Sequence, residues 1–219
     1  MKENFQSLKK SPLFYGIRED ELYTLIKCCG GEEAEFERGE PLFRMGESLY
    51  RIMILLEGSV EIEREDFWGK KRILKILGEG ESFGAVYACS RTAVLPVSLT
   101  AVESSRALFL DYQRMCSFCT LACSFHTRLI QNFLRLVSEE SAYMENRLWH
   151  MSAGTTREKL LSYLSEAAIE QGSREIDLKL SRQELADYLA VDRSAMSSEL
   201  GKLKKEGILD FKKNHFELK

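Results

Sequence analysis

Three cysteines and a histidine, Cys116, Cys119, Cys123 and His126, fall within one short stretch, CSFCTLACSFH. Thiolates and imidazoles are ligands for soft and borderline metals such as zinc. A thiol near a helix start also has a lowered pKa, which favours redox chemistry. On a straight α-helix the four positions lie within about 80° of one another and form one face. The same helix spreads them over about 15 Å, whereas a zinc–sulfur bond is about 2.3 Å long, so one straight helix cannot bring all four to one ion. Neighbouring turns could supply Cys119 with Cys123, or Cys123 with His126, and the remaining ligands would come from elsewhere in the fold. A Cys119–Cys123 disulfide is disfavoured, because Cβ atoms four residues apart on a helix are about 5–6 Å apart and a disulfide needs about 3.8 Å. Three readings stay open at this point: small, soft side chains packed where a helix meets its neighbour, metal ligation, and a redox-active thiol.

The elements around the stretch define its setting. Leu13, Phe14, Ile17, Leu22, Leu25 and Ile26 recur at roughly helical spacing, and Asp20 and Glu21 suit the first turn of a helix. Between Gly30 and about Leu110, apolar runs of four to six residues are cut by glycine-containing turns. Val60 and Ile62 alternate with Glu61 and Glu63, which is the period of a strand. LLEGSVEI reads as a hairpin turning at Gly58. Several short strands at regular spacing predict a small β-barrel or roll. Asp111 to Trp149 contains neither Gly nor Pro, and Ile130, Phe133, Val137, Met144 and Leu148 sit at spacings of three, four and seven. That pattern predicts one long amphipathic helix with coiled-coil pairing, interrupted at Ser141. Cys28 and Cys29 read as packing at a helix end.

Bulk properties narrow the class. The chain has 219 residues, 44% of them hydrophobic and 30% charged, which fits a soluble globular protein. The longest strictly apolar run, Ile52–Leu56, is far short of the roughly 20 residues that span a bilayer. The first ten residues, MKENFQSLKK, lack the apolar core of a signal peptide, so the expected location is the cytoplasm, with no membrane partner. Six cysteines in such a chain predict reduced thiols or metal ligands rather than a disulfide framework. No nucleophile–base pair, phosphate loop or metal-protease spacing is present, and no enzymatic activity is expected.

The last forty residues carry the clearest pattern. In LSRQELADYLAVDRSAMSSELGKLKKEGILDFKKNHFELK, Ser181 caps a helix and Glu184 completes a capping box. Leu185, Ala186 and Leu189 form its buried stripe. A short turn around Ala190–Asp192 leads to a second helix, capped by Asp192, with Ala195, Met196, Leu200 and Leu203 as its buried face. Gly207 ends that helix. ILDF and HFEL form a hairpin around Lys212, Lys213 and Asn214. Two short helices, a tight turn and a β wing predict a winged helix-turn-helix that binds double-stranded DNA. Arg193, Ser194, Ser197 and Ser198 are placed toward the major groove, where Arg can fork onto guanine and Ser can meet several base edges. Lys202, Lys204, Lys205, Lys212 and Lys213 suit phosphates. Ser181, Arg182 and Gln183, at the start of the first helix, are assigned to the DNA with them. The stretch from Thr155 or Thr156, with Glu158 soon after, reads as the capped start of a further helix carrying Leu160, Leu161, Leu164 and Ala168.

Taken whole, the chain resembles the Crp/Fnr family of bacterial transcription regulators. The residues that carry the likeness are GEGESFG (Gly78–Gly84), Gly46 and Gly58 in barrel turns, and SRQELADYLAVDRSAMSSEL. The resemblance implies an α+β architecture in three parts: an N-terminal β-roll or jelly-roll sensor domain over residues 1–110, a long dimerisation helix over 111–149, and a C-terminal winged helix-turn-helix over 150–219. It also implies a homodimer on a pseudo-palindromic operator, control by a small effector, and RNA polymerase as a further partner. Departures from the family are specific. Its cyclic-nucleotide binders follow Phe-Gly with a Glu for the ribose and, further on, an Arg-Ser/Thr-Ala element for the cyclic phosphate. Here Phe83-Gly84 is followed by Ala85, the Arg position falls near Leu95-Pro96, and the one Arg-Thr-Ala, Arg91–Ala93, lies about four residues early. Cyclic AMP is therefore not the expected effector, because its phosphate would lack a charge partner. A different effector, of unknown identity, is placed against Phe83, Gly84, Ala85, Val97, Cys119, Cys123 and His126. Metal or redox sensing through the Cys116–His126 cluster is the alternative, with Cys119, Cys123 and His126 as ligands. Well-known members carry Glu and Arg where this chain has Ser194 and Ser198, so their operators do not transfer.

Overall fold

In the computed structural model, which describes residues 5–90, 94–117 and 123–219, the apolar runs after Gly30 become two four-stranded antiparallel sheets. One contains β1 (Glu32–Phe36), β3 (Arg51–Glu57), β6 (Ser82–Phe83) and β8 (Ser105–Asp111), in the order β1-β8-β3-β6. The other contains β2 (Pro41–Phe43), β4 (Val60–Glu65), β5 (Lys71–Leu77) and β7 (Ser98–Ala101), in the order β2-β7-β4-β5. Met53, Leu55, Val60, Ile62, Leu77, Leu99 and Phe109 pack in one cluster between the sheets. The other residues of β3, Ile52, Ile54 and Leu56, belong to a second cluster with Leu22, Leu25, Leu129 and Phe133. β3 is thus covered on both faces, so it reads as an unbroken apolar run rather than an alternation.

LLEGSVEI is not a hairpin. β3 pairs with β6 and β8, whereas β4 pairs with β5 and β7, so Gly58 turns a corner from one sheet to the other. Its φ is +86°, and a Cβ there would lie 2.3 Å from the Ser105 hydroxyl and 2.6 Å from the Ser104 carbonyl. The local sequence of two strands around a glycine is the same for a hairpin and for a corner; only the pairing partners differ. The hairpin of this region is β4–β5, closed by the Asp66 carboxylate, which accepts from the backbone N–H groups of Trp68 and Lys70 at 3.0 Å each.

Short helices α1 (Phe5–Lys10), α2 (Glu19–Cys28), α3 (Ala85–Ala88) and α4 (Tyr112–Cys116) precede the long α5 (Ser124–Ser152). Asp20 and Glu21 lie in the first turn of α2, and the Glu21 carboxylate accepts from the Arg18 N–H at 3.0 Å. The helix predicted over 111–149 is not continuous. Asp111 caps α4 by accepting from the Arg114 N–H at 2.9 Å, and α4 stops at Cys116. Ser117 is extended, and its hydroxyl bonds back to the Arg114 carbonyl at 2.8 Å. Such local bonds let serine end a helix without Gly or Pro. α5 then runs past Trp149 to Ser152. Its first half is not a free seam throughout: Phe133 is buried and Val137 half-buried against the strands and short helices. Buried Asn132 donates to the carbonyls of Leu13 and Tyr15, at 3.0 and 2.8 Å, and so holds the Pro12–Phe14 turn.

The chain divides into two compact units, Met1–Ser138 and Glu139–Lys219. In the second, α6 (Thr156–Gln171) begins with a reciprocal cap between Thr155 and Glu158. β9 (Glu175–Asp177), α7 (Arg182–Tyr188), α8 (Arg193–Lys205), β10 (Leu209–Lys212) and β11 (His215–Leu218) follow, the strands in the order β10-β11-β9. Leu160, Leu164, Ile176, Leu185, Ala186, Leu189, Met196, Leu200, Leu203 and Phe216 make its core. Ala195, expected in that core, is exposed, because α8 buries a narrower stripe of Met196, Leu200 and Leu203. Among the described residues no helix is long and apolar enough to cross a membrane.

Candidate nucleic-acid interface and sensor face

The helix-turn-helix is built from caps. The Ser181 hydroxyl accepts from the Glu184 N–H at 3.3 Å, and the Glu184 carboxylate accepts from the Ser181 N–H at 2.7 Å. Hydrogen bonding from the Ser181 N–H, and then from its hydroxyl, holds the Glu184 carboxyl below its usual pKa. After α7, Ala190 adopts φ +50° and the Val191 N–H reaches back to the Ala186 carbonyl at 3.0 Å. This is the left-handed helix stop that glycine usually provides. The Asp192 carboxylate caps α8 by accepting from the Ala195 N–H at 2.8 Å, and the Ser194 hydroxyl and the backbone lower its pKa. Arg157 on α6 holds α8 in place by a two-pronged pair with Glu206, supported by Glu199 at 3.5 Å. Sequence reading missed Arg157, because its partners lie more than forty residues away.

The residues assigned to the DNA divide by what their donors already do. Arg193, at the start of α8, and Ser198, in its second turn, are exposed. Ser194 and Ser197 are also exposed, but the Ser194 hydroxyl donates to Asp192 and that of Ser197 to the Arg193 carbonyl at 2.9 Å. Lys205, Lys212 and Lys213 are exposed. Lys202 pairs with Glu199 at 2.9 Å, and Lys204 pairs with Asp210 on the wing. Gln183 donates to Asp187 at 2.9 Å within α7. Arg182 is only half-exposed and faces the wing, donating to the Lys213 carbonyl at 2.7 Å.

In the same unit, the rings of Tyr163 and Tyr188 pack against His150 and against each other, and Tyr143 packs against Tyr188. Burial, reinforced by Tyr143, Glu166 and Tyr163, pushes the Tyr188 phenol up to about 12. An unfolded tyrosine ionises near pH 10, so the folded protein keeps a proton that the unfolded chain releases. This contribution to stability is complete below about pH 10 and is lost as pH rises toward 12. Tyr188→Phe is expected to flatten the fall in urea midpoint over that window; an unchanged pH profile would contradict it.

Among the described residues assigned to an effector, the barrel positions fall in different core clusters. Phe83 and Val97 belong to the cluster between the sheets, whereas Ala85 belongs to the cluster beneath the helices. Gly84, at φ +98°, is packed so closely that a Cβ would lie 2.6 Å from Leu49. The one-face arrangement of CSFCTLACSFH also fails, because Cys116 ends α4 while Cys123 immediately precedes α5. Cys119 and the Arg91–Ala93 element lie outside the described residues. Cys123 is half-buried. His126 is buried, its Nε2 is 2.7 Å from the Met115 carbonyl, and its Nδ1 has no partner among the described residues. Burial pushes the Cys116 thiol pKa up, away from a reactive thiolate, although a hydrogen bond to Tyr112 opposes the shift. No group of three or more His, Cys, Asp or Glu among the described residues could hold a metal ion.

Residues 33–120 match the model of the cyclic nucleotide-binding domain, and residues 154–219 that of the Crp-like helix-turn-helix domain. The chain belongs to the Crp/Fnr family of transcription regulators. Among curated members, it is 25% identical to the cyclic AMP receptor protein of Thermus thermophilus, over 92% of this chain and 89% of that one. It is 21% identical to the CRP-like cAMP-activated global transcriptional regulator of Mycobacterium tuberculosis, over 88% and 85%. The solved structure of OCPA-complexed CprK shares the fold with a TM-score of 0.60, at 21% identity over 91% of each chain. Like its Crp/Fnr relatives, the chain is a transcription regulator with a helix-turn-helix, an N-terminal β domain and a long helix between them.

Proposed function

We propose that this Crp/Fnr member works in the cytoplasm as a homodimeric, effector-controlled regulator that binds pseudo-palindromic duplex DNA, and that it is not an enzyme. The observation that carries the reading is the first half of α8, where Arg193 and Ser198 are exposed, together with the exposed Lys205, Lys212 and Lys213 on the same domain. Dimerisation is supported by α5. Ile130, Leu134, Val137, Ser141, Met144, Leu148 and Met151 alternate at spacings of four and three, the period of a paired coiled coil. Leu134, Met144 and Leu148 are 59%, 46% and 67% exposed in the single chain, as an unpaired seam would be. The functional division is then sensor over 1–110, dimerisation segment over 111–149 and DNA-binding domain over 150–219. RNA polymerase is the partner such a regulator would meet at a promoter.

Two of the curated relatives are named for cyclic AMP, but this chain has buried Ala85 and Leu95 at or near the positions where a cyclic nucleotide would need charge. The proposed effector is therefore a different small molecule. A second reading, metal or redox sensing near Cys123 and His126, is favoured by the buried, unpartnered His126 Nδ1. Metal analysis of anaerobically purified protein tests it, and a metal-free, colourless preparation would sink the metal form. For the main reading, the full chain is used to select duplexes from a random pool. The expected product is a pair of symmetry-related half-sites one helical turn apart, bound with an affinity that falls steeply with salt. Single half-sites or a flat salt dependence would overturn it.

A further inference from the structure

Sequence reading places Arg182 on the DNA, but its guanidinium is committed to the wing. Nη2 donates to the Lys213 carbonyl at 2.7 Å. The guanidinium carbon lies 4.5 Å from the centre of the Phe216 ring and 5.1 Å from that of Phe211. These two rings, 5.6 Å apart and tilted by 33°, come from the two wing strands. Phe216 is fully buried, and burial lowers the Arg182 pKa. The acceptor matters as much as the donor. Lys213 sits at φ +55°, a conformation that L side chains rarely adopt. The other tip residue, Asn214, gives its carbonyl to the Leu178 N–H at 2.9 Å. Both carbonyls of the wing tip are thus held by the body of the domain, one by backbone and one by Arg182.

We propose that Arg182 is a positioning residue. It fixes the wing against the start of α7 so that Lys212 and Lys213 reach the phosphates, and does not itself bind a phosphate. The proposal rests on the DNA-binding reading above. A flat guanidinium suits the role, because it can stack on aromatic faces while its edge donates to a carbonyl.

The test uses the full chain, a duplex selected by the wild type, and two readouts. The first is the salt dependence of affinity. The second, which needs no DNA, is the rate of tryptic cleavage after Lys212 and Lys213. Arg182→Gln keeps a donor and a flat group but loses the charge. It is expected to leave both the salt slope and the cleavage rate near wild type. Arg182→Ala is expected to speed wing cleavage by about tenfold as the tip opens. It should also lower the salt slope as far as Lys212→Ala/Lys213→Ala does, and combining all three should add nothing further. The proposal is overturned if Arg182→Gln lowers the slope by about 0.9 per protomer with the wing still protected, the signature of one lost phosphate contact. It is also overturned if Arg182→Ala leaves cleavage unchanged while circular dichroism shows a folded chain. A wild type that selects no duplex would instead remove the DNA-binding reading, and cleavage alone would still decide whether Arg182 holds the wing.

Discussion

Arg193→Ala is expected to weaken binding to the selected duplex by roughly 30- to 25,000-fold. A bidentate Arg–guanine pair is worth about 1–3 kcal/mol of discrimination. A two-fold symmetric dimer makes the contact twice, so about 2–6 kcal/mol is lost per complex. Arg193 is singled out among the exposed residues of α8 because its neighbours are less available. The Ser194 hydroxyl supports the Asp192 cap, and that of Ser197 bonds to the Arg193 carbonyl. Ser194→Ala would therefore act mainly through the start of the helix, whereas Arg193→Ala removes a group with open access to a groove. The two kinds of contact are separable by experiment. Losing Arg193 should relax base preference at one position in each half-site, whereas losing Lys205 should weaken all sequences alike and lower the salt slope. Selection repeated with the Arg193→Ala chain is the check; the same half-sites at the same affinity would remove Arg193 from the interface.

The helix-turn-helix was legible in sequence because its determinants are local. Ser181 and Glu184, or Thr155 and Glu158, are three residues apart and cap each other wherever the helix lies. The Leu185–Leu203 core could be read for the same reason, because helical spacing alone shows it. Misreadings arose where a partner is distant in sequence. Gly58 looks like a hairpin turn until the partners of β3 and β4 are known. The hydrogen bond from Arg182 to the Lys213 carbonyl, thirty-one residues away, is likewise invisible to local spacing. Phe83 and Ala85 are two residues apart but fall in different clusters, because the chain passes from the end of β6 into α3 between them. The turn at Ala190 was legible but its left-handed conformation was not, since it is adopted by a residue that ordinarily favours right-handed helix.

His150→Ala is expected to destabilise the C-terminal unit by about 2–4 kcal/mol, a large share of a typical domain's stability of about 5–15 kcal/mol. The imidazole is 2% exposed. Its Nδ1 lies 2.9 Å from the Ser162 hydroxyl and its Nε2 2.8 Å from the Glu166 carboxylate. In the neutral ring, Nε2–H donates to Glu166 and Nδ1 accepts from Ser162, so both nitrogens are satisfied in either charge state. Truncation leaves a hydroxyl and a carboxylate without that partner and opens a cavity against Tyr163 and Tyr188. The estimate stays below the cost of a fully buried pair because Glu166 is part-exposed and keeps a bond from Asn146 at 2.8 Å. The same residues join the proposed dimer helix to the DNA-binding helices. Asn146 and His150 tie the end of α5 to α6, and Arg147 donates to the carbonyls of Asp187 and Tyr188 at 2.9 Å each, tying it to α7. The last turns of the proposed dimer helix and the DNA-binding helices therefore form one body, and the short Ser152–Thr155 link is not a free hinge. Urea unfolding followed by circular dichroism measures the loss, and His150→Ala should lower the midpoint of the C-terminal unit with little change in slope. A loss under about 0.5 kcal/mol, the scale of an ordinary surface substitution, would mean that the aromatic stack holds α5 to α6 and α7 without the histidine.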